Sequence, residues 1–241
     1  MKLLERLIEQ VPEGLKVEQA VIGVYLAGVV ASNGQMGLAT VYPPSHHRGS
    51  LDELIEPELK GKALKDLAQY ALSSHPLSSA LGVSALNAGI GIPEQGLAEG
   101  NIRDLIKEKA RDLNLAVVGH FPFVNEVAPL ARQCWVVEKE PREGDLPESA
   151  TERVLKDAEV VVITASALVN HSLEKLLEWA KGRYIFLVGP SAPFSQVLFE
   201  EGVNVIAGAV VEDVEDTLSR IMLAYPFWAL PGVKKVIWKR I

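Results

Sequence analysis

Four short apolar runs in the second half of the chain set its hydrophobic pattern. They are Leu115-Ala-Val-Val118 before Gly119-His120-Phe121-Pro122, Val160-Val-Val-Ile163 before Thr164-Ala165-Ser166, Tyr184-Ile-Phe-Leu-Val188 before Gly189-Pro190-Ser191, and Asn204-Val-Ile206 before Ala207-Gly208. Each ends in small or polar residues and then turns helical. Unbroken Val/Ile/Leu runs separated by helical stretches predict strands of a parallel sheet buried on both faces. In such a sheet the carboxyl ends of the strands border the ligand crevice, so these terminal residues are the first place to seek a binding site.

The first half reads differently. A helix over about 2–11 leads to Lys16–Gly28 and, across Ser32-Asn33-Gly34, to Gln35–Tyr42. Asn-Gly supplies the positive φ of a tight turn, so this pair predicts one antiparallel hairpin. Residues 43–50 read as an irregular loop. Helices follow at 64–72 and from Pro76, whose fixed φ suits a first helical position. The second, Leu77–Ala88, is nearly free of charge and rich in small residues, which predicts burial at a domain seam. The stretch 89–96 reads as a linker, a charged helix at about 101–113 opens the strand–helix alternation, and a last helix is expected near 212–223. The tail 225–238 suits a final strand or a subunit contact. The style changes near residue 98, giving two expected domains, 1–98 and 99–241.

Composition narrows the function classes. Nearly half the 241 residues are hydrophobic and the net charge is −7, which argues against a nucleic-acid footprint, since phosphate binding needs a basic face. No run approaches the roughly 20 apolar residues of a membrane span. The opening ten residues carry charge at helical spacing, as an amphipathic helix and not a signal peptide does. The expectation is therefore a cytoplasmic protein, with neither nucleic acid nor membrane as partner, binding a small molecule and open to homo-oligomer formation. Cys134, alone of its kind, sits in an apolar strand and suits burial as a small hydrophobe.

Familiar signatures are missing. Gly89-Ile-Gly91 fails the dinucleotide pattern because Glu94 stands at the third glycine position, and there is no phosphate-binding loop, nucleophile elbow or paired-His zinc helix. What remains is a constellation at the strand ends. Glu138 closes Cys134–Val137 about twenty residues beyond Gly119, where a ribose-binding carboxylate sits in Rossmann sites, or else is a solvated charge. His120 offers an acid, base or metal ligand, or a local hydrogen bond, beside the ring of Phe121. Thr164, Ser166 and Asn170 supply hydroxyls and an amide. If they open a helix, its free N–H groups favour an anion and Thr164 or Ser166 caps it, with Ser166 and Asn170 on one face. Gly189, Pro190 and Ser191 form a stiff turn that either admits a ligand closely or needs none. His46 and His47 point to opposite sides of an extended chain and read as solvated loop residues. His75 fits a helix entry, and His171 has no spacing partner.

At Ser84–Ala88, Val117–Pro122, Val137–Asp145, Val162–Asn170 and Leu187–Ser191 the chain resembles the heavy-metal-chelation proteins of bacteria and archaea. The resemblance implies an α/β protein in which a small α+β enolase N-terminal-like domain precedes a Rossmann-like parallel-sheet domain, with a site at their junction and Asn87 beside the second domain's strand ends. It also implies a flavin-, pterin- or siderophore-like chelator as ligand, and a partial likeness to methyltransferases. The family pattern has Gly after the threonine and Gly-Thr after the asparagine, where this chain carries Ala165 and His171-Ser172. A methyl at 165 would crowd a tight phosphate cradle.

Two classes of function stay open at this point. One is an enzyme performing condensation, hydrolysis or group transfer on a heterocyclic precursor, with Glu138 and Asn170 orienting it and His120 moving a proton. The other is a non-catalytic holder of a metal or metal–chelate. A metal ion, a nucleotide and an S-adenosylmethionine-like molecule are the cofactors to test.

Overall fold

A computed structural model describes residues 2–42, 55–56 and 58–240; His46 and His47 lie outside the described residues. The amino-terminal part holds helix α1 (Leu3–Glu9), then strands β1 (Val17–Ile22), β2 (Leu26–Ala31) and β3 (Met36–Thr40) as an antiparallel sheet in that order. One hairpin was expected. The run Lys16–Gly28 instead breaks at Gly23-Val24-Tyr25, because Gly23 passes so close to α9 (Val214–Met222) that a Cβ there would lie 2.3 Å from the Ile221 carbonyl oxygen. The Ser32-Asn33-Gly34 turn forms as read, with Gly34 at φ +83°.

Helices α2 (Leu64–Ala68) and α3 (Pro76–Ile90) lie on this sheet. His75 caps α3, its Nδ1 accepting from Ser78 N–H at 3.4 Å. Eleven of the fifteen α3 residues are buried, as an all-round apolar helix must be. Gly37 lets β3 and α3 meet at backbone distance: its missing Cβ would sit 2.1 Å from Ser84 O. The helix also continues through Gly89, so the expected linker starts only at Gly91.

The larger sheet has β4 (Leu97–Glu99), β5 (Asn114–Val118), β6 (Gln133–Glu138), β7 (Leu146–Pro147), β8 (Val160–Thr164), β9 (Tyr184–Val188), β10 (Val203–Val211) and β11 (Val233–Lys239), ordered β4-β11-β10-β9-β8-β5-β6-β7. From β10 to β7 neighbours run parallel; β11 and β4 close one edge antiparallel. β10 is longer than expected. It runs through Ala207-Gly208 to Val211 because β11 pairs along its length, so the strand does not end at those two residues, although Ala207 stays level with the end of β9, its carbonyl accepting from Gly189 N–H at 2.9 Å. Helices α4 (Ile102–Ala110) and α5 (Val124–Val127) cover one face, with Ile106 and Val127 buried against Leu115 and Phe186. On the other, α6 (Thr151–Asp157), α7 (Leu173–Trp179) and α8 (Gln196–Glu200) share one continuous core with α1, α2 and α3.

The molecule is thus mixed α/β, a small antiparallel sheet joined to a larger, mainly parallel one. Among the described residues no helix is long and apolar enough to cross a membrane.

Candidate functional site

β5 is the first strand of the parallel series, and its neighbours β6 and β8 lie on opposite sides, so the strand order reverses between β5 and β8. A crevice opens at the carboxyl ends of strands that diverge in this way. Gly119, at φ +104°, leaves β5 here, and a Cβ on it would come within 3.0 Å of Thr164 on β8. Glycine is therefore required for the close crossing of the two strand ends. The turn it starts projects His120 toward β6, while Phe121 stacks on Phe123 with centroids 5.0 Å apart.

Two hydrogen-bonded groups face each other across this point. In the first, His120 Nε2 lies 2.5 Å from Asp145 Oδ2 and its Nδ1 is 3.5 Å from Glu138 Oε2. Asp145 also accepts from Arg142 N–H at 2.8 Å. Burial works to raise the Asp145 pKa, but the Arg142 N–H and the imidazole outweigh it and hold the carboxyl below its usual value. In the second, Tyr42, two residues past β3, donates to Ser166 Oγ at 2.6 Å, and Ser166 Oγ shares a 2.8 Å bond with Thr164 Oγ1. Burial raises the Tyr42 pKa above 10.0, opposed by its hydrogen bonding with Ser166 and Asn170, and the charge on Glu138 adds to the rise. The phenol is therefore a protonated donor at neutral pH, set beside a carboxylate and a carboxylate-held imidazole.

Not every predicted residue arrives by the predicted route. Ala165–Ala167 is a single 3-10 turn, and α7 begins only at Leu173. No helix N-terminus stands at the β8 end, which removes the expected anion site. Nor does Thr164 or Ser166 cap: both hydroxyls are engaged with each other and Tyr42. Ser166 and Asn170 do not share a helix face, although Asn170 N–H donates to Ser166 O at 3.2 Å through one isolated turn. The Ala165 methyl is fully buried toward Gly189, 3.6 Å from where a Cβ would stand, so it packs against the β9 end.

Gly189, Pro190 and Ser191 meet the amino-terminal sheet. Ser191, completely buried, accepts from Thr40 N–H at 2.8 Å. Asn87 Nδ2 donates to Leu38 O at 2.8 Å and to Pro190 O at 3.4 Å. Asn87 and Pro190 line a separate cleft of about 110 Å³ with Met36, Phe194 and Val210. The predicted residues therefore divide into Gly119, His120, Phe121, Glu138, Thr164, Ser166 and Asn170 around the strand crossing, and Asn87, Gly189, Pro190 and Ser191 at the seam behind it. Sequence reasoning missed Tyr42 and Asp145. Tyr42 stands 124 residues from its partner and gives no spacing signal. Asp145 closes the segment that carries the family resemblance, and its Gly144-Asp145 turn was the available cue.

Family comparison decides what the chain is. Two family models, both described as "Putative heavy-metal chelation", match residues 4–90 and 101–236. The chain belongs to this heavy-metal-chelation family. It is 28 % identical over 182 residues to an uncharacterised protein of Methanocaldococcus jannaschii, covering 72 % of this chain and 70 % of that one. Two solved structures of family members with unknown function are similar to it. One, from Desulfitobacterium hafniense, shares 26 % identity with a TM-score of 0.87 over 99 % of this chain and 98 % of that one. The other, from Pyrococcus horikoshii, shares 20 % identity with a TM-score of 0.84 over the same shares.

The family description invites a metal, and the side chains among the described residues do not fit one. Among the described residues no three His, Cys, Asp or Glu groups converge to hold an ion. The two nitrogens of His120 diverge, each toward a different carboxylate. Soft metals select thiolate, yet burial pushes the Cys134 thiol up to about 11 and keeps it protonated.

Proposed function

We propose that this family member binds a small heterocyclic, chelator-type molecule at the β5–β8 crossing, and that any metal travels on that molecule and not on the protein's own side chains. The carrying observation is the hydrogen bond from Tyr42 of the first sheet to Ser166 at the strand crossing of the second. It sets a protonated phenol, two hydroxyls and the Asn170 amide opposite Glu138 and His120. Such an array offers donors and acceptors held by their own hydrogen bonds, which suits a polar heterocycle, and Phe121 adds apolar surface. The failed metal fit among the described residues supports the second half of the reading.

Proton transfer is the finer reading, and it rests on one feature. Asp145 holds the far nitrogen of His120, so the near nitrogen is oriented toward Glu138 and the crevice, as in an imidazole prepared for acid–base work.

Native mass spectrometry of freshly purified protein, with metal analysis of the same sample, tests the proposal. A bound small molecule is expected, with any metal leaving together with it on denaturation. Titration with flavin mononucleotide, a pterin and S-adenosylmethionine then sorts the ligand class. For the one that binds, Tyr42→Phe and Glu138→Gln should each weaken affinity at least tenfold, roughly the 1.4 kcal/mol of one good hydrogen bond to a charged or buried group. Metal retained stoichiometrically without any organic molecule, or no binding of any probe, defeats the reading.

A further inference from the structure

Eight large apolar side chains stand exposed among the described residues, and six of them gather at the carboxyl end of α9. They are Val24 (57 %), Tyr25 (51 %), Met222 (66 %), Leu223 (71 %), Tyr225 (37 %) and Trp228 (74 %). Their proximity follows from the Gly23 contact, since the turn carrying Val24 and Tyr25 rests on the backbone of Ile221, the residue before Met222. The arrangement is held firmly. Ala224 takes a left-handed φ of +59°, Tyr225 N–H returns to Arg220 O at 2.9 Å, and Ala224 N–H to Ile221 O at 3.0 Å, a Schellman close. This stop turns Met222, Leu223 and Tyr225 outward. Trp228 follows on a 3-10 turn, Phe227–Ala229.

No charged residue occurs from Met222 to Leu230. The nearest cation, Arg220, lies 5.0 Å over the Tyr225 ring and is bound to Asp216 at 2.7 Å. Lys235 stands at its rim, Nζ 5.6 Å from the Phe227 ring, so the patch is apolar and uncharged from 222 to 230 with cations only at its border, on a chain of net charge −7. At about 150–250 Å² for each aromatic side chain and less for the three aliphatic ones, the six expose on the order of 600 Å². Monomers seldom leave more than about 300–600 Å² in one patch, while a standard interface buries about 800 Å² on each partner.

We infer that this surface is the interface of a homodimer, two copies of this chain meeting patch to patch about a two-fold axis. A two-fold contact needs a surface that matches itself, and an uncharged aromatic–aliphatic patch does so, whereas a surface for a charged partner carries an opposing charge. Contacts between unlike, transient partners are about as polar as ordinary surface; homodimer interfaces are the more apolar class. The area also fits: two copies bury on the order of 1,200 Å², at the lower end of the roughly 1,200–2,000 Å² range of stable pairs. The interface touches the candidate site through one strand, because Tyr25 O accepts from Val41 N–H at 2.9 Å, immediately before Tyr42. It does not depend on the ligand reading.

Sedimentation equilibrium of the full chain over a hundredfold concentration range tests it. The wild-type protein should sediment as a dimer, and Trp228→Glu and Leu223→Glu should each raise the dimer dissociation constant at least a hundredfold with an unchanged circular dichroism spectrum. Leu72→Glu, at an exposed apolar side chain outside the patch, should leave the dimer intact. A wild-type protein that is monomeric throughout, or a dimer that survives both patch variants, overturns the inference. So does flotation of monomeric wild-type protein, but not of the variants, with neutral phosphatidylcholine vesicles, since the occupant would then be lipid.

Discussion

Tyr42 and Asp145 are perturbed in opposite directions, so each bends a different limb of the stability–pH curve. Asp145 releases its proton more readily folded than unfolded, owing to the Arg142 N–H and His120 working against its burial. Its contribution is complete above the ordinary carboxylate value of about 4 and is lost as pH falls through the lower folded value. Tyr42 is the reverse. Its folded pKa lies above 10.0, chiefly through burial, so the folded state keeps the proton longer, and stability falls as pH rises beyond about 10. Thermal melts should accordingly show a shallower acid limb below pH 4 in Asp145→Asn and a shallower alkaline limb above pH 10 in Tyr42→Phe. An alkaline limb of Tyr42→Phe that superimposes on the wild-type one would mean the phenol is not the group being desolvated. At this scale the sequence reading reached His120 and Glu138 through their place after strands. It missed Asp145, which orients His120 across 25 positions, and Tyr42, whose bond to Ser166 across 124 positions leaves no local trace. His171 shows the same limit. Its φ of +60° explains why the family pattern has glycine there. Here the imidazole compensates by its 2.8 Å contact with Ala71 O and a longer one with Ser79, partners that the sequence did not point to.

Among elements, α3 sets how closely the amino-terminal unit can pack. Gly82 faces the 3-10 turn Gln69–Leu72, and a Cβ there would stand 1.8 Å from Ala71 N and 2.4 Å from Tyr70 C, backbone atoms that cannot rotate away. Gly82→Ala should therefore pry α3 from that turn and cost about 3 kcal/mol, the upper end for overpacking a core. This outweighs the roughly 1 kcal/mol that alanine gains over glycine in a helix interior. Urea unfolding measures the balance, and a stabilised variant would show that α3 and the turn are not in backbone contact. The burial of α3 was legible because small uncharged residues on every side leave a helix no face for water. The parallel strands were legible for the same reason in period-free form. Misreadings arose where apolar residues serve something other than the core. Val24 and Tyr25 extend the strand pattern across a turn because they are apolar and exposed, and Ala207-Gly208 looked like a strand end because small residues also suit the middle of a strand crowded by Phe194, 2.7 Å from where the Gly208 Cβ would be.

For the molecule as a whole, the main core runs across the change in sequence style near residue 98. One cluster of buried side chains runs from Leu7, Val29, Leu67 and Leu86 in the amino-terminal part to Leu155, Ile163, Leu187 and Phe199 in the rest. Polar ties follow the same seam: Ser195 Oγ donates to Gln10 at 2.6 Å, Arg6 pairs with Glu200 and Glu201, and Thr40 N–H bonds Ser191. Separating the halves would expose apolar surface along the whole seam, at about 25 cal/mol per Å², and would leave a buried hydroxyl and several backbone groups without partners. Halves joined in this way should unfold together, and scanning calorimetry should record a single transition whose van't Hoff and calorimetric enthalpies agree. Because Tyr42 and Ser166 lie on opposite sides of the seam, the candidate site exists only while that joint is closed, and a ligand bound there should move the whole transition upward by the mass-action amount set by its affinity. Two resolved peaks, with only one of them shifted by ligand, would show instead that the halves unfold separately and that the crevice belongs to one of them.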